Sequence, residues 1–280
     1  MRKNTVFKND QGRQEILTMY DAALLGCGVG IKQRVCKTSF GDTYMVEAGE
    51  ENEDILVLLH GASSNSTSWI SDFHVYAQKY KVIAVDIIGE PGKSAETRLS
   101  YETMDYALWL HEVFDAMQIK KAHIVGLSQG GWLAVRFAGC FPERVNKMVL
   151  LSPAGIVRTA GSFIFKAIFY SLFGKAGRKK INEIILGEQS VDPKVIEFMD
   201  LMQDHVNARM DKEYIFQDEE LENLTMPVLF IGGRRDVIRS TEQISKRLGG
   251  ILPDLKTIID ENKGHVLVDT SEEIVNFLQN

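Results

Sequence analysis

Short, unbroken runs of apolar residues recur along this chain: ILVLL (55–59), VIAVD (82–86), HIVGL (123–127), MVLLS (148–152), VLFIG (228–232) and LKTII (255–259). A strand with one wet face alternates apolar and polar residues, so unbroken runs of five predict strands buried on both faces, as in a parallel sheet. Segments of helical period separate them. In 129–141, Leu133, Ala134, Phe137, Ala138 and Phe141 share one face, and in 271–279 Ile274, Phe277 and Leu278 do so. Residues 14–25 predict an N-terminal helix ended by the glycines of GCGVG, and 32–48 predict a hairpin turning at Phe40-Gly41-Asp42. Strands alternating with helices imply βαβ units, an α/β fold and a doubly wound, mostly parallel sheet of about eight strands flanked by helices.

One interval breaks this rhythm. The 75 residues between MVLLS and VLFIG carry a mainly helical pattern, too long for one crossover. Residues 156–218 are expected to form an inserted helical cap (lid) above the C-terminal ends of the strands, where open α/β sheets bind ligands. The core is then 1–155 with 219–280.

A serine follows the third of the six runs in Gly126-Leu127-Ser128-Gln129-Gly130, a G-x-S-x-G sequence between a predicted strand and a predicted helix. A serine on so tight a turn has a strained backbone, and the flanking positions must lack side chains. A chance pentapeptide in a glycine-rich turn is the competing explanation, and the strand-before, helix-after context tells against it. Ser128 is the expected nucleophile. A serine hydroxyl needs a general base, and the base needs an orienting carboxylate. Of six histidines, His265 in NKGHVL lies past the last strand at the expected active edge, while His74, His111, His123 and His205 sit in helices or a strand without a motif. Asp236, in GGRRDVI directly after VLFIG, is the expected acid, with pairing to Arg234 or Arg235 as its plainer alternative. Asp86 is a rival that precedes the nucleophile. His60-Gly61-Ala62-Ser63 follows the first of those runs, and the N–H groups of Ala62 and Gln129 are the expected oxyanion donors, with His60 holding the loop. Such donors contribute roughly 3–4 kcal/mol each to lowering a barrier.

Taken together, HGASSNSTSW, AVDIIGEPGKS, GLSQGG, PERV, GGRRDVI and NKGHVL resemble the α/β-hydrolase superfamily over nearly the whole chain. AVDIIGEPGKS is most similar to the bacterial carboxylesterase group that includes the naproxen ester hydrolases. The resemblance implies a serine carboxylesterase acting through an acyl-enzyme on small to medium hydrophobic esters, with no cofactor and no metal. It supports Ser128, Asp236 and His265 as the triad and Ala62 and Gln129 as oxyanion donors. HGAS departs from the HGGG of many lipases, which tells against bulky tertiary-alcohol esters. A serine nucleophile excludes the dehalogenase and epoxide hydrolase branches, which use aspartate there. Cleavage of a carbon–carbon bond in a diketone, thioester or lactone hydrolysis, and a triad-retaining receptor for a small hydrophobic ligand stay open, since one fold hosts many reactions.

Composition narrows the partners. A net charge of −6 tells against nucleic acid. Three cysteines without metal spacing form neither a disulfide framework nor a zinc site. The opening residues show no signal-peptide pattern and no apolar run reaches the roughly 18 residues of a membrane span, so the expectation is a cytoplasmic monomer or homodimer without stable membrane insertion. Ser63, Trp69, Phe165 and Phe169 are expected to contact substrate. Residues 163–173, strongly apolar and followed by Lys175, Arg178, Lys179 and Lys180, are expected to line the pocket or pack on the core. Membrane-surface contact is the lesser alternative, because the negative charge elsewhere opposes anionic lipid.

Overall fold

The computed structural model describes residues 5–209 and 211–280. The first four residues of the stretch expected to carry no signal sequence, and residue 210 of the expected cap, lie outside it.

In chain order the elements are α1 (Asp10–Leu25), β1 (Ile31–Thr38), β2 (Gly41–Ala48), β3 (Ile55–Leu59), α2 (Phe73–Tyr76), β4 (Lys81–Val85), α3 (Asp105–Ala116), β5 (Ala122–Leu127), α4 (Gln129–Cys140) and β6 (Val145–Leu151). They continue through α5 (Gly161–Ser171), α6 (Gly174–Leu186), α7 (Pro193–His205), α8 (Asp218–Leu221), β7 (Val228–Gly233), α9 (Thr241–Ile251), β8 (Leu255–Asp260) and α10 (Ser271–Gln279). The eight strands form one sheet in the order β1-β2-β4-β3-β5-β6-β7-β8. β2 pairs antiparallel with both its neighbours, and every pairing from β4 to β8 is parallel. The order reverses around β3, and β5, at the middle of the sheet, leads directly into Ser128.

The apolar runs are unbroken because the sheet is covered on both sides. Val57, Leu59, Ile83, Val85, Ile124 and Leu150 enter one core, while the alternating Leu56, Leu58, Val82, Ala84, Val125 and Val149 enter the other. α4 is enclosed more completely than its one-faced pattern predicts. Gln129 through Ala138 are all buried, because the helix is covered by α3 and α8 as well as by the sheet.

α1 begins four residues earlier than expected. The Asn9 side chain accepts a hydrogen bond from the Gly12 N–H at 2.8 Å and caps the first turn. This helix joins two regions: Tyr20 and Leu24 enter the core on one sheet face, while Ile16 packs with Phe7, Met202 and Val206 against α7.

Between β6 and β7 lie α5, α6, α7 and the short α8. α6 and the turn after it are tied to the loop that follows β8: His265 N–H donates to Ile185 O at 2.7 Å, and Gly264 N–H to Leu186 O at 3.0 Å. α5 corrects the expectation for the apolar stretch 163–173. None of its residues is buried, and its apolar side chains neither fill the core nor line the cavity described below.

Candidate active site

Ser128 stands between β5 and α4 with φ 51° and ψ −108°, a region that costs a non-glycine residue of order 1–3 kcal/mol. Three main-chain bonds hold it there. Its N–H donates to Leu151 O at 2.9 Å, and its carbonyl accepts from Trp132 N–H at 2.9 Å and Ala154 N–H at 3.0 Å. The two motif glycines are steric requirements. A Cβ on Gly126 would lie 2.4 Å from Gly130 O, and one on Gly130 would lie 2.0 Å from Leu59 O. Both obstacles are backbone and cannot rotate away. Gly130→Ala is therefore expected to destabilise the fold by at least about 3 kcal/mol and to lower Tm by roughly 6 °C or more. A Tm within 2 °C of wild type by calorimetry (on the order of 1 kcal/mol) would contradict this account of the turn.

His265 reaches Ser128 from the loop after β8, and Asp236 comes from the loop after β7. His265 Nε2 lies 2.9 Å from Ser128 Oγ, and His265 Nδ1 lies 2.8 Å from Asp236 Oδ2. Gly233 lets the two loops meet, since a Cβ there would fall 2.1 Å from Lys263 O. The other oxygen, Asp236 Oδ1, accepts from the Ile238 N–H at 2.7 Å and the Arg239 N–H at 3.0 Å. The carboxylate side chain is wholly buried. Burial alone would raise its pKa. The bond and charge of His265, with the Arg239 and Ile238 N–H groups, overcome that and hold it below the usual carboxylate range. The plainer alternative for Asp236 does not occur: Arg234 pairs with Glu242 and Glu261, and Arg235 with Glu188.

Asp86, the rival acid, is buried elsewhere. It accepts from Ser66 N–H at 2.8 Å, Lys93 N–H at 2.7 Å and the Tyr20 hydroxyl at 3.2 Å, and so fastens loops together. His60 is fully buried with both ring nitrogens occupied: Nε2 accepts from Ile87 N–H at 2.9 Å and Nδ1 donates to Gly61 O at 2.8 Å. Burial lowers its pKa, against the opposing charge of Asp86, and the two ring bonds join the loops after β3 and β4. His111 and His205 sit beside Asp115 and Glu15, and His123 packs edge-on against Tyr80.

Ser128, Ala62 and Gln129 line a cavity of about 150 Å³. Gln129 is the first residue of α4, so its N–H is one of the helix's unsatisfied donors and carries the positive end of the helix dipole. Among the described residues, neither the Ala62 N–H nor the Gln129 N–H has a hydrogen-bond partner. The adjoining Ser63 N–H is fixed by the buried Glu90 at 2.8 Å. Burial raises the Glu90 pKa, and the Ser63 N–H and the Gln129 side chain partly oppose it.

None of the four expected substrate contacts lines this cavity. Trp69 is 5% exposed and packs in the core with Phe73 and Tyr76. Ser63 faces Glu90, and Phe165 and Phe169 project to solvent. Tyr101, Trp132 and Ala154 form the apolar wall instead, and Arg209, Asp211, Glu213 and Arg239 form a charged one. Arg239 Nη2 pairs with Glu213 Oε1 at 2.7 Å. Arg209 pairs with Asp211 at 2.9 Å, donates to the Tyr106 hydroxyl at 2.5 Å, and lies 3.9 Å from the centre of the Tyr101 ring. Arg239, three residues past Asp236, was the one member of this wall near a recognisable motif.

Known proteins share this arrangement of the chain. Residues 54–172 match the family model described as alpha/beta hydrolase fold. A Bacillus subtilis protein named uncharacterized carboxylesterase nap is 32% identical over 92% of this chain and 88% of its own length. Carboxylesterase YbfK of the same organism is 28% identical over 92% of this chain and 89% of its own. The crystal structure of naproxen esterase from B. subtilis superposes with a TM-score of 0.86 at 30% identity, covering 97% of this chain and 99% of that one. With strand order, serine turn and whole-chain similarity in agreement, this chain belongs to the α/β-hydrolase family.

Proposed function

We propose that the protein is a serine carboxylesterase with Ser128 as nucleophile, His265 as general base and Asp236 as the acid that orients it. The observation that carries this reading is the continuous hydrogen-bonded line from Asp236 Oδ2 through the imidazole to Ser128 Oγ, at 2.8 and 2.9 Å, ending at the wall of a cavity. With Nδ1–H donating to the carboxylate, Nε2 is the acceptor for the serine proton. Ser128 attacks the ester carbonyl as His265 takes that proton. The oxyanion is stabilised by the N–H groups of Ala62 and Gln129. His265 returns the proton to the leaving alcohol, then activates the water that releases the acid.

Residues 156–218 act as a cap in this reading. Support comes from Arg209 and the neighbouring Asp211 and Glu213, which lie in that segment and line the same cavity as Ser128. The relatives named carboxylesterase agree with ester hydrolysis.

The test is labelling with a fluorophosphonate probe, followed by a panel of p-nitrophenyl esters, a thioester, a lactone and a vinylogous diketone. Stoichiometric label on the Ser128 peptide and fastest turnover of short esters are expected. Label on another residue, or a diketone outrunning every ester, would overturn the assignment.

A further inference from the structure

α5 carries an apolar face turned away from the molecule. Successive residues on a helix are about 100° apart. Phe163, Ala167 and Tyr170, which are partly covered, therefore share one side, and Ile164, Phe165, Ile168, Phe169, Leu172 and Phe173 (the last two in the turn that continues the helix) share the other. Exposure peaks at the centre of that outer face, with Phe165 71% and Leu172 77% exposed. Six large apolar side chains in one solvent-facing stripe form a contiguous patch of the kind that marks an interaction surface.

The charge beside it selects the occupant. Residues 161–186 contain five cations, Lys166, Lys175, Arg178, Lys179 and Lys180, and one carboxylate, Glu183, in a chain whose net charge is −6. Lys166 flanks the stripe on α5 itself. α6 packs so closely beside α5 that a Cβ on Gly177 would lie 1.8 Å from Tyr170 O. Of these cations, Arg178 is paired with Asp204 and Lys180 with Glu183, while Lys166, Lys175 and Lys179 are exposed. A second copy meeting this patch across a two-fold axis would set cations against cations. A bilayer with anionic headgroups offers acyl chains to the stripe and negative charge to the lysines.

We propose that the α5–α6 hairpin docks the protein on anionic lipid surfaces, lying in the interface without spanning it. This stands apart from the reading of Ser128, because none of the stripe lines the cavity. The full-length protein is to be sedimented with phosphatidylcholine vesicles, alone or mixed with phosphatidylglycerol, in low and high salt. Binding to the mixed vesicles, little to phosphatidylcholine alone, and release by salt are expected. Ile168→Gln with Leu172→Gln should reduce partitioning roughly tenfold or more. Lys175→Glu with Lys179→Glu should reduce it about twentyfold or more. Turnover of a water-soluble ester should be unchanged in both pairs, which shows that they fold. Absence of binding to mixed vesicles, or equal binding to both compositions, would overturn the proposal. So would a wild-type dimer in analytical ultracentrifugation that the Ile168→Gln, Leu172→Gln pair converts to monomer, since the face would then be covered by a second copy.

Discussion

Ser128→Ala is expected to fold and to lose p-nitrophenyl acetate turnover by about four to six orders of magnitude in kcat/KM. The change removes one oxygen. Alanine carries the same Cβ, so the strained φ of 51° costs it about what it costs serine, and the main-chain bonds to Leu151, Trp132 and Ala154 are untouched. What disappears is the hydroxyl at the end of the line from Asp236 through His265, the group proposed to take the acyl chain. The residue of activity should come from the Ala62 and Gln129 N–H groups, which would still stabilise charge on a carbonyl attacked by water. Tm should stay within about 3 °C of wild type, on the order of 1 kcal/mol. Steady-state kinetics with far-ultraviolet melting separates the two effects. Turnover within tenfold of wild type, by a protein with a normal melt, would remove Ser128 from the chemistry.

The strands were legible because burial on both faces leaves its mark on every residue of a run, as in ILVLL, where successive side chains enter opposite cores. The serine turn was legible because the glycines either side of it are forced by backbone contacts under 2.5 Å, so its sequence has little freedom. The proposed acid and base could be ordered along the chain but not placed. Their meeting depends on Gly233 admitting Lys263 O and on the ties from His265 and Gly264 to the end of α6, contacts between segments far apart in sequence.

Apolar character was misread in two opposite ways. Trp69, close to the HGAS loop in sequence, was expected beside substrate. The turn Ser66–Asp72 instead drives it into the core with Phe73 and Tyr76, and the indole does not reach the cavity. The stretch FIFKAIFYSLF was expected to line the pocket or pack on the core, with membrane-surface contact as the lesser alternative. Its inner side is the narrow one (Phe163, Ala167, Tyr170), and its broad side faces out. Net charge is a poor guide in the same place. A total of −6 averages over the chain and hides a local excess of cations on α5 and α6. Apart from the place of Arg239 just past GGRRDVI, the charged wall of the cavity had no sequence signal, since Arg239 meets Glu213 across 26 residues and Arg209 meets the Tyr106 hydroxyl across 103.

Asp236→Asn is expected to lower kcat/KM by about 10⁴-fold with the fold intact, and the reason lies in which oxygen is already in use. Oδ1 accepts from two main-chain donors, the Ile238 and Arg239 N–H groups. An asparagine must keep its carbonyl oxygen on that side to satisfy them, which turns its NH2 toward His265 Nδ1. Two donors cannot face each other, so Nδ1 becomes the acceptor and the ring proton moves to Nε2. The imidazole then presents N–H to Ser128 Oγ and can no longer take its proton. Asp236→Ala lacks this forced tautomer and should therefore lose no more than Asp236→Asn. The native carboxyl has a pKa below the usual range, so its ionisation stabilises the fold above the unfolded value of about 3.9 and that stability is lost as pH falls through the lower folded value. The Tm difference between wild type and Asp236→Asn should accordingly be constant near neutrality and shrink below about pH 4. Kinetics at about pH 7 and melts from about pH 3, below the usual carboxylate range, up to about pH 8, well above it, test both halves. Activity of Asp236→Asn within tenfold of wild type would mean that His265 takes its orientation from something other than this carboxylate.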